Sequence, residues 1–312
     1  MRSALPVRVG RLADDAVLVQ RTRSGHRRLR SSRLDARTWV VQRGRKGRRL
    51  VRVGPEELRT HLLVDEQAAR GDMNRLQKAL SGYLVREQIG WLLRELEVDC
   101  VLDVGANKGQ YARMLRRVGY RGRIVSFEPL PHLVAKLREA SKGDPDWLVM
   151  PYGAGDHDTE AEINVVPGTM SSLLTPSSFG EEWSSTLRDR EPRTETISIR
   201  RLDTVFDEAI AGLSSPRVFL KLDTQGYDLQ AFSGAGKRLE EVVGLQSEVA
   251  CVPIYDGMPR LPEQLQLYEA EGFEVTGMFP VSRDVPTLRV IEFDVLMVRT
   301  QALRPQAVAP TA

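Results

Sequence analysis

The sequence predicts an α/β protein built on a mostly parallel sheet that helices cover on both faces. From residue 99 onward, short apolar runs alternate with segments of helical periodicity, the pattern of successive strand–helix units. A glycine, Gly105, ends the first of these runs immediately before a helical segment. The last two runs have no helix between them, which predicts a hairpin and an antiparallel strand at the C-terminal edge of the sheet.

The predicted elements of this region follow from the two periodicities, two residues for a strand and 3.6 for a helix. Strands are expected at residues 101–104, 123–127, 147–152, 218–222, 242–250, 273–279 and 290–298. Helices are expected at residues 108–118, 131–140, 227–234 and 261–271. Two further strands, at 160–166 and 194–199, flank a long stretch rich in Ser, Thr and Pro.

Basic and acidic residues are unevenly distributed along the chain. Residues 1–53 carry 16 Lys and Arg against 3 Asp and Glu, whereas the remaining residues carry 29 against 39. We expect residues 1–53 to form a basic N-terminal arm, partly disordered or with a small β element, since blocks of like charge tend to stay solvated. Residues 54–98 are expected to form N-terminal helices, residues 99–299 the α/β domain, and residues 300–312 a disordered tail.

Several classes of protein are disfavoured by composition. No stretch reaches the roughly 20 apolar residues that span a bilayer, and the arginine-rich N-terminus lacks the apolar segment of a signal peptide. The two cysteines, Cys100 and Cys251, lie in or beside apolar strand-like runs, so buried reduced thiols are expected. These features favour a cytoplasmic protein without an integral membrane segment.

The first strand leads into the run Val-Leu-Asp-Val-Gly-Ala-Asn-Lys-Gly at residues 101–109. Gly105 allows a sharp turn and close approach of a ligand to the backbone. The N–H groups at the start of the next helix can receive a carboxylate or phosphate. Asp103 precedes the turn and suits a ligand that carries an ammonium group. The spacing Gly-x-x-x-Gly departs from the dinucleotide fingerprint, which disfavours a pyrophosphate ligand.

Glu128 ends the second strand about 20 residues after the glycine turn, where the ribose-binding acid of dinucleotide-binding folds lies. A carboxylate there accepts hydrogen bonds from both ribose hydroxyls and repels a 2′-phosphate. The glycine turn and this acid, at this spacing, predict a cofactor that contains a nucleoside.

The chain resembles the FkbM-type methyltransferase family over roughly residues 85–299. The motifs VLDVGANKGQYA, RIVSFEP, VFLKLDTQGYDLQAFSGAG and GLQSEVACVPIYDG carry the resemblance. It implies a Rossmann-like class I methyltransferase fold with a mostly parallel seven-stranded sheet, and S-adenosyl-L-methionine as cofactor. It also implies O-methylation of a hydroxyl on a sugar, a glycolipid or a polyketide-type metabolite. The cofactor-binding residues expected from the motifs are Asp103, Gly105, Ala106, Asn107, Gly109, Gln110, Glu128, Pro129, Gly153 and Ala154.

Candidate catalytic residues lie on the strands that follow the polar stretch. Transfer to an alcohol oxygen requires removal of a proton, which calls for a general base or a metal. Asp223, at the end of the strand 218–222, is the first candidate, with Lys221 and Gln225 on the same face if the strand continues. Glu248 on the next strand is a candidate either to support Asp223 or to bind a second hydroxyl of the substrate. An N-cap is the structural alternative for Asp223. No His cluster accompanies these acids, and we expect no bound metal.

The polar stretch from Gly168 to Pro192 is long for a connection, and such segments tend to be lids or binding loops. We expect it to cover the acceptor, with Ser171 and Ser172 at its mouth and Gln225 as a further acceptor contact. Two alternative functions stay open: an NAD-dependent oxidoreductase, and a non-catalytic nucleic-acid-binding protein that uses the basic arm. The expected partner is a small-molecule or glycan acceptor rather than nucleic acid, and a homodimer is compatible with the sequence.

Overall fold

The computed structural model describes residues 7–13, 16–21, 29–33, 39–43, 48–52, 61–65 and the continuous stretch 73–303. It divides into two compact units, Met1–Ala79 and Leu80–Ala312. Those parts of the predicted arm and tail that fall between or beyond these ranges lie outside the described residues. Among the described residues, no helix combines the length and apolarity needed to cross a membrane.

In the described part of the first unit, six short strands form two antiparallel sheets. β1 and β2 form a two-stranded sheet, and β3, β4, β5 and β6 follow one another in a four-stranded sheet. Their bounds are Val7–Ala13, Ala16–Arg21, Leu29–Arg33, Trp39–Arg43, Arg48–Arg52 and His61–Asp65. The expectation of helix from residue 54 is therefore wrong at β6, because hydrogen bonding to β5 selects the extended conformation of this short apolar segment. Helix α1 begins later and spans Met73–Glu95.

The second unit is built on a seven-stranded sheet with the order β15-β16-β14-β13-β7-β8-β9. The strands are β7 Cys100–Val104, β8 Arg123–Phe127, β9 Trp147–Met150, β13 Val218–Leu222, β14 Val242–Ala250, β15 Glu274–Arg283 and β16 Val290–Val298. β7, β8, β9, β13 and β14 are parallel, and β16 runs antiparallel to both β14 and β15. The predicted fold class is confirmed, and the antiparallel C-terminal strand lies one position inside the edge that β15 forms.

Helices cover both faces of this sheet. On one face, α1, α2 and α3 pack against alternate strand residues such as Val101, Ile124 and Phe219. On the other face, α6, α7 and α8 pack against the intervening residues, among them Leu102 and Leu220. The helices are α2 Gln110–Arg117, α3 Pro131–Ser141, α6 Leu202–Ala209, α7 Asp228–Ser233 and α8 Leu261–Ala270. α6 was not predicted, since its residues follow a strand without a turn signal between them.

Between β9 and β13 in the chain, three strands form a small second sheet. β10 (Gly153–Ala154), β12 (Thr194–Arg200) and β11 (Thr159–Asn164) form it in that order. The polar stretch between β11 and β12 contains two short helices, α4 (Ser178–Trp183) and α5 (Ser185–Arg188), where the sequence predicted irregular chain. Helices this short leave almost no periodic signal, and their position depends on buried contacts such as that of Leu187.

The chain end and the cysteines differ slightly from expectation. The predicted tail begins in a turn of 3-10 helix, Thr300–Ala302.

Cys100 is buried, and burial raises the pKa of its thiol to about 12. Cys251 is half-buried rather than buried, and both thiols are free.

Candidate active site

A cavity opens at the carboxyl ends of β7, β8 and β13, the edge of such a sheet at which ligands bind. Side chains from the small sheet and from the polar stretch close its other side. Its lining includes seven of the ten residues expected to bind cofactor, namely Gly105, Asn107, Gln110, Glu128, Pro129, Gly153 and Ala154. These residues lie far apart in the chain, and the parallel sheet brings them to one edge.

Gly105 forms the turn as the sequence predicted. Its φ of 79° is in the left-handed region, and a Cβ there would lie 2.0 Å from the carbonyl oxygen of Asp223. The ends of β7 and β13 can therefore approach this closely only with glycine at this position. Gly109 also has a positive φ, and a Cβ would meet the ring of Trp147 at 2.7 Å. Gly109 therefore packs the start of α2 against β9 rather than lining the cavity.

Glu128 is 5% exposed and lies at the end of β8. Its Oε2 accepts a hydrogen bond of 2.9 Å from the backbone N–H of Asn107, and its Oε1 accepts one of 3.0 Å from that of Leu130. Burial raises the pKa of this carboxyl to about 7, although both backbone donors act in the opposite direction. A carboxylate has room for further donors on each oxygen, so Glu128 can also receive two hydroxyl groups from the cavity.

Asn107 shapes the same end of the cavity. It adopts a φ of 50°, and its Nδ2 donates to the carbonyl of Gly168 at 3.1 Å. Its Oδ1 is buried and has no partner among the described residues. A buried amide oxygen without a donor is costly, so this atom marks a place where a bound molecule would supply one.

Asp103 makes its contacts within the protein core. It is fully buried behind the cavity, and its Oδ1 lies 3.1 Å from the Nζ of Lys221. Its Oδ2 accepts from Ser126 at 3.3 Å. Paired positions on neighbouring parallel strands bring Ser126, Asp103 and Lys221 into one row. Ala106 is likewise buried in the core. Neither Asp103 nor Ala106 is part of the cavity lining, and their roles toward a cofactor stay predictions.

Asp223 lines the cavity, and its side chain is 35% exposed. Its Oδ2 lies 3.3 Å from the Nζ of Lys221, and its Oδ1 accepts from the Nε2 of Gln225 at 3.2 Å. The alternative of an N-cap does not hold, because Asp228 receives the N–H of Thr224 at 2.7 Å and Asp223 makes no bond to the helix. Asp223 is thus a carboxylate held by two donors and directed at the cavity.

Gln225 joins Asp223 to Glu248. Its Nε2 also donates to Glu248 Oε2 at 3.0 Å, so both amide protons are used on carboxylates. Its Oε1 lies 3.2 Å from Tyr255 Oη, within hydrogen-bond distance. Gln225 has a φ of 55°, and Ser172 Oγ donates to its carbonyl at 2.7 Å.

The polar stretch supplies part of the cavity wall. Ser171 lines it, whereas Ser172 is buried and holds the backbone of Gln225. Tyr255 Oη donates to the carbonyl of Met170 at 2.8 Å, so this stretch is tied to the same hydroxyl that lies beside the amide of Gln225. Tyr255 was not singled out from the sequence, where nothing links it to residue 170.

An apolar wall that the sequence analysis missed completes the cavity. It consists of Leu130, Leu133, Ile163, Leu173, Ile197 and Ile199. The alternation of Ile197 and Ile199 along β12 could have indicated it, since residues two apart share a face. Such a wall suits the flat ring of a nucleobase. Among the described residues, no group of three or more His, Cys, Asp or Glu is arranged to hold a metal ion.

Comparisons with known proteins agree with this geometry. Residues 103–275, more than half of the chain, match the family model described as methyltransferase FkbM domain. The matched range contains the glycine turn, Glu128, Asp223, Gln225 and Glu248. None of the curated proteins compared matches the chain.

Three solved structures are similar to the chain at low identity. Fibrillarin from Aeropyrum pernix, with natively bound S-adenosyl-L-methionine, is 11% identical, with a TM-score of 0.39 over 87% of this chain and 99% of its own. Magnesium protoporphyrin IX methyltransferase from Synechocystis PCC 6803, with the same molecule bound, is 11% identical, with a TM-score of 0.38 over 75% and 83%. A putative S-adenosylmethionine-dependent methyltransferase from Listeria monocytogenes is 8% identical, with a TM-score of 0.38 over 71% and 99%. TM-scores this low support no conclusion about activity.

Proposed function

The chain belongs to the FkbM methyltransferase domain family, and from this premise we propose that it uses S-adenosyl-L-methionine to methylate a hydroxyl oxygen of a small-molecule or glycan acceptor. The observation that carries the proposal is the presence of both Glu128 and Asp223 in the lining of one cavity. Glu128 offers a carboxylate for a ribose, and Asp223 offers one for an acceptor hydroxyl. The acceptor classes in view are a sugar, a glycolipid or a polyketide-type metabolite.

The residues present fit this cofactor. Two ribose hydroxyls can donate to Glu128, whose position is held by two backbone N–H groups. The apolar wall beside Gly153 suits the adenine. The backbone at Gly105 and the unpartnered Oδ1 of Asn107 suit the polar methionine end. When bound, the cofactor supplies a methyl group already activated by its sulfonium, so much of the protein's contribution is positioning.

Asp223 is placed to orient the acceptor hydroxyl and take its proton. With S-adenosyl-L-methionine bound, the hydroxyl oxygen would receive the cofactor's activated methyl group, and a carboxylate oxygen of Asp223 would take the hydroxyl proton. Lys221 and Gln225 hold the carboxylate through 3.3 Å and 3.2 Å contacts, so it needs little reorganisation. Glu248, joined to Asp223 through Gln225, is placed to contact a second group on the acceptor.

Isothermal titration calorimetry with S-adenosylhomocysteine and with NAD tests the cofactor. We expect S-adenosylhomocysteine to bind the wild-type protein and NAD not to bind. In Glu128→Gln an amide N–H₂ must face a backbone N–H, and affinity should fall about tenfold to hundredfold. Glu139→Gln, at a side chain that is 71% exposed on α3, is the matched control and should bind normally. Tight NAD binding without S-adenosylhomocysteine binding would reject the proposal.

The acceptor atom is tested with S-adenosylmethionine carrying a ¹³C methyl group and a panel of hydroxylated sugars, glycolipids and polyketides. An O-methyl signal in the NMR spectrum of the product is expected. A product labelled only on nitrogen, carbon or sulfur would show that the acceptor is not a hydroxyl.

A further inference from the structure

Three carboxylates lie beside Asp223 on the same face of the sheet. Glu248 on β14 pairs with Asp294 on the antiparallel strand β16, and Glu292 lies two residues before Asp294. Residues two apart on a strand share a face, so these side chains point to one side. We call Asp223, Glu248, Glu292 and Asp294 the acidic recess. Glu248 is partly exposed, whereas Glu292 is buried.

In the part of the chain that the structure describes, only Asp223 of these four acids has a cationic partner. Lys221 is on the same face, but its ammonium contacts Asp103 and Asp223. Among the described residues, no Lys, Arg or His forms an ion pair with Glu248, Glu292 or Asp294. Each of the three receives one neutral donor, from Gln225 at 3.0 Å, Ser282 at 3.0 Å and Gln246 at 2.9 Å respectively.

One buried carboxylate oxygen of the recess receives no hydrogen bond from the described residues. Glu292 is 5% exposed, and its Oε1 is buried with no hydrogen-bond donor among the described residues. Burial raises the pKa of Glu292 to about 7, and burial together with the nearby Glu292 and Asp223 raises that of Glu248 well above its ordinary range. An orphaned buried carboxylate oxygen next to other acids indicates a missing donor that carries positive charge.

We propose that the acidic recess binds a protonated amino group on the acceptor, so that the acceptor is an amino alcohol of the amino-sugar type. An ammonium group has three N–H donors, one for each of the three carboxylates that lack a cationic partner, and it brings one positive charge to them. A hydroxyl donor would bring no charge. A divalent cation normally takes six or more oxygen ligands, and no group of three acids among the described residues is arranged to hold one.

Gln225 indicates how close the amino group and the reacting hydroxyl must be. Its Nε2 donates one hydrogen bond to Asp223 Oδ1 and one to Glu248 Oε2. These two oxygens therefore lie no farther apart than the combined length of the two hydrogen bonds. A hydroxyl on Asp223 and an ammonium on Glu248 are then neighbours on the acceptor, as in a 2-amino sugar methylated beside its amine. The inference rests on the proposed function, since it takes Asp223 as the hydroxyl site.

The experiment uses pairs of probes in which one member has a charged amine and the other has that amine neutralised by acetylation. D-glucosamine, D-galactosamine and ethanolamine are each compared with the N-acetyl derivative, by calorimetry on protein saturated with S-adenosylhomocysteine. We expect the amine of at least one pair to bind about tenfold or more tightly than its acetylated form, the value of one charged hydrogen bond. Glu292→Gln and Glu248→Gln should abolish the difference, and Glu139→Gln should keep it.

The outcomes separate this inference from the proposed function. If S-adenosylhomocysteine binds and no amine is preferred over its acetylated form, the inference is wrong while the proposed function stands. If S-adenosylhomocysteine does not bind, the proposed function fails first. If the protein binds Mn²⁺ alone and this binding requires Glu292, the acidic recess holds a metal ion and the ammonium proposal is rejected. Unchanged S-adenosylhomocysteine affinity in Glu292→Gln shows that the variant is folded.

Discussion

Lys221 and Asp103 occupy paired positions on β13 and β7, and their Nζ and Oδ1 atoms lie 3.1 Å apart. The same ammonium lies 3.3 Å from Asp223, which lines the cavity. Burial lowers the pKa of Lys221, but Asp223 and Asp103 raise it by more, so this side chain stays charged. A fully buried ion pair thus supports the carboxylate that we assign to the acceptor hydroxyl.

Lys221→Met should cost about 3–5 kcal/mol of unfolding free energy, because it leaves Asp103 buried without its cation. The double variant Lys221→Met with Asp103→Asn should recover part of that loss, since neither charge then remains in the core. Chemical denaturation of both variants measures the difference. A single variant that loses less than about 1 kcal/mol, the scale of an exposed ion pair, would contradict the buried pair.

Gly105→Ala should destabilise the protein and weaken cofactor binding. The added Cβ would lie 2.0 Å from the Asp223 carbonyl oxygen at a backbone φ of 79°, so β7 and β13 must separate. We expect a loss of more than about 1 kcal/mol in denaturant unfolding. Gly82→Ala is the matched control, because nothing lies within 4 Å of a Cβ there and alanine favours a helix interior by about 1 kcal/mol. Equal effects of the two substitutions would contradict the geometry of the turn.

Affinity for S-adenosylhomocysteine should fall as pH decreases through about 7, the raised pKa of Glu128. The protonated carboxyl has fewer acceptor sites for the ribose and the two backbone donors. The protonation of Glu128 has the opposite effect on the stability of the fold. The folded-state pKa lies above the ordinary value of 4.5, so the contribution of Glu128 to stability is present below pH 4.5 and is lost as pH rises to 7.

Calorimetry between pH 5.5 and 8.5 checks the effect on affinity. Glu128→Gln should remove the part of this pH dependence that Glu128 causes, while the other buried carboxyls continue to titrate. An identical pH profile in wild type and Glu128→Gln would exclude Glu128 as its source.

Asp223→Asn should bind S-adenosylhomocysteine within about twofold of wild type, since the ribose site is Glu128, yet transfer methyl groups about 10²–10⁴-fold more slowly, the usual value of a general base. The measurement is single-turnover methyl transfer to the acceptor found by NMR. Thr224 continues the same segment, and Thr224→Ser, which keeps its hydroxyl donor, is the control. Unchanged turnover in Asp223→Asn would remove Asp223 from the chemistry.

Tyr255→Phe should loosen the polar stretch and the carboxylate pair together. The hydroxyl lies 2.8 Å from the carbonyl oxygen of Met170 and 3.2 Å from the amide oxygen of Gln225, which share its single proton. Its loss should cost about 1 kcal/mol and speed proteolysis within residues 168–192. Tyr152→Phe removes a half-buried hydroxyl elsewhere and serves as the control. Equal proteolysis of both variants would show that Tyr255 does not hold this segment.

Local patterns in the sequence determined much of the fold and one end of the site. Each parallel strand, the turn at Gly105 and the position of Glu128 follow from periodicity and spacing within about 30 residues. The antiparallel C-terminal strand followed from the missing helix before it. Short elements such as β6, α4 and α5 escaped, because their conformation depends on partners elsewhere in the chain.

Only the tertiary structure decided which polar groups meet. Strand order places β13 between β7 and β14, and this order directs Asp103 to Lys221 rather than to a ligand. The bridge from Asp223 through Gln225 to Glu248 and the unpartnered oxygen of Glu292 also join distant segments. Periodicity reports the face on which a side chain lies but not the strand beside it, so no local pattern contains these contacts.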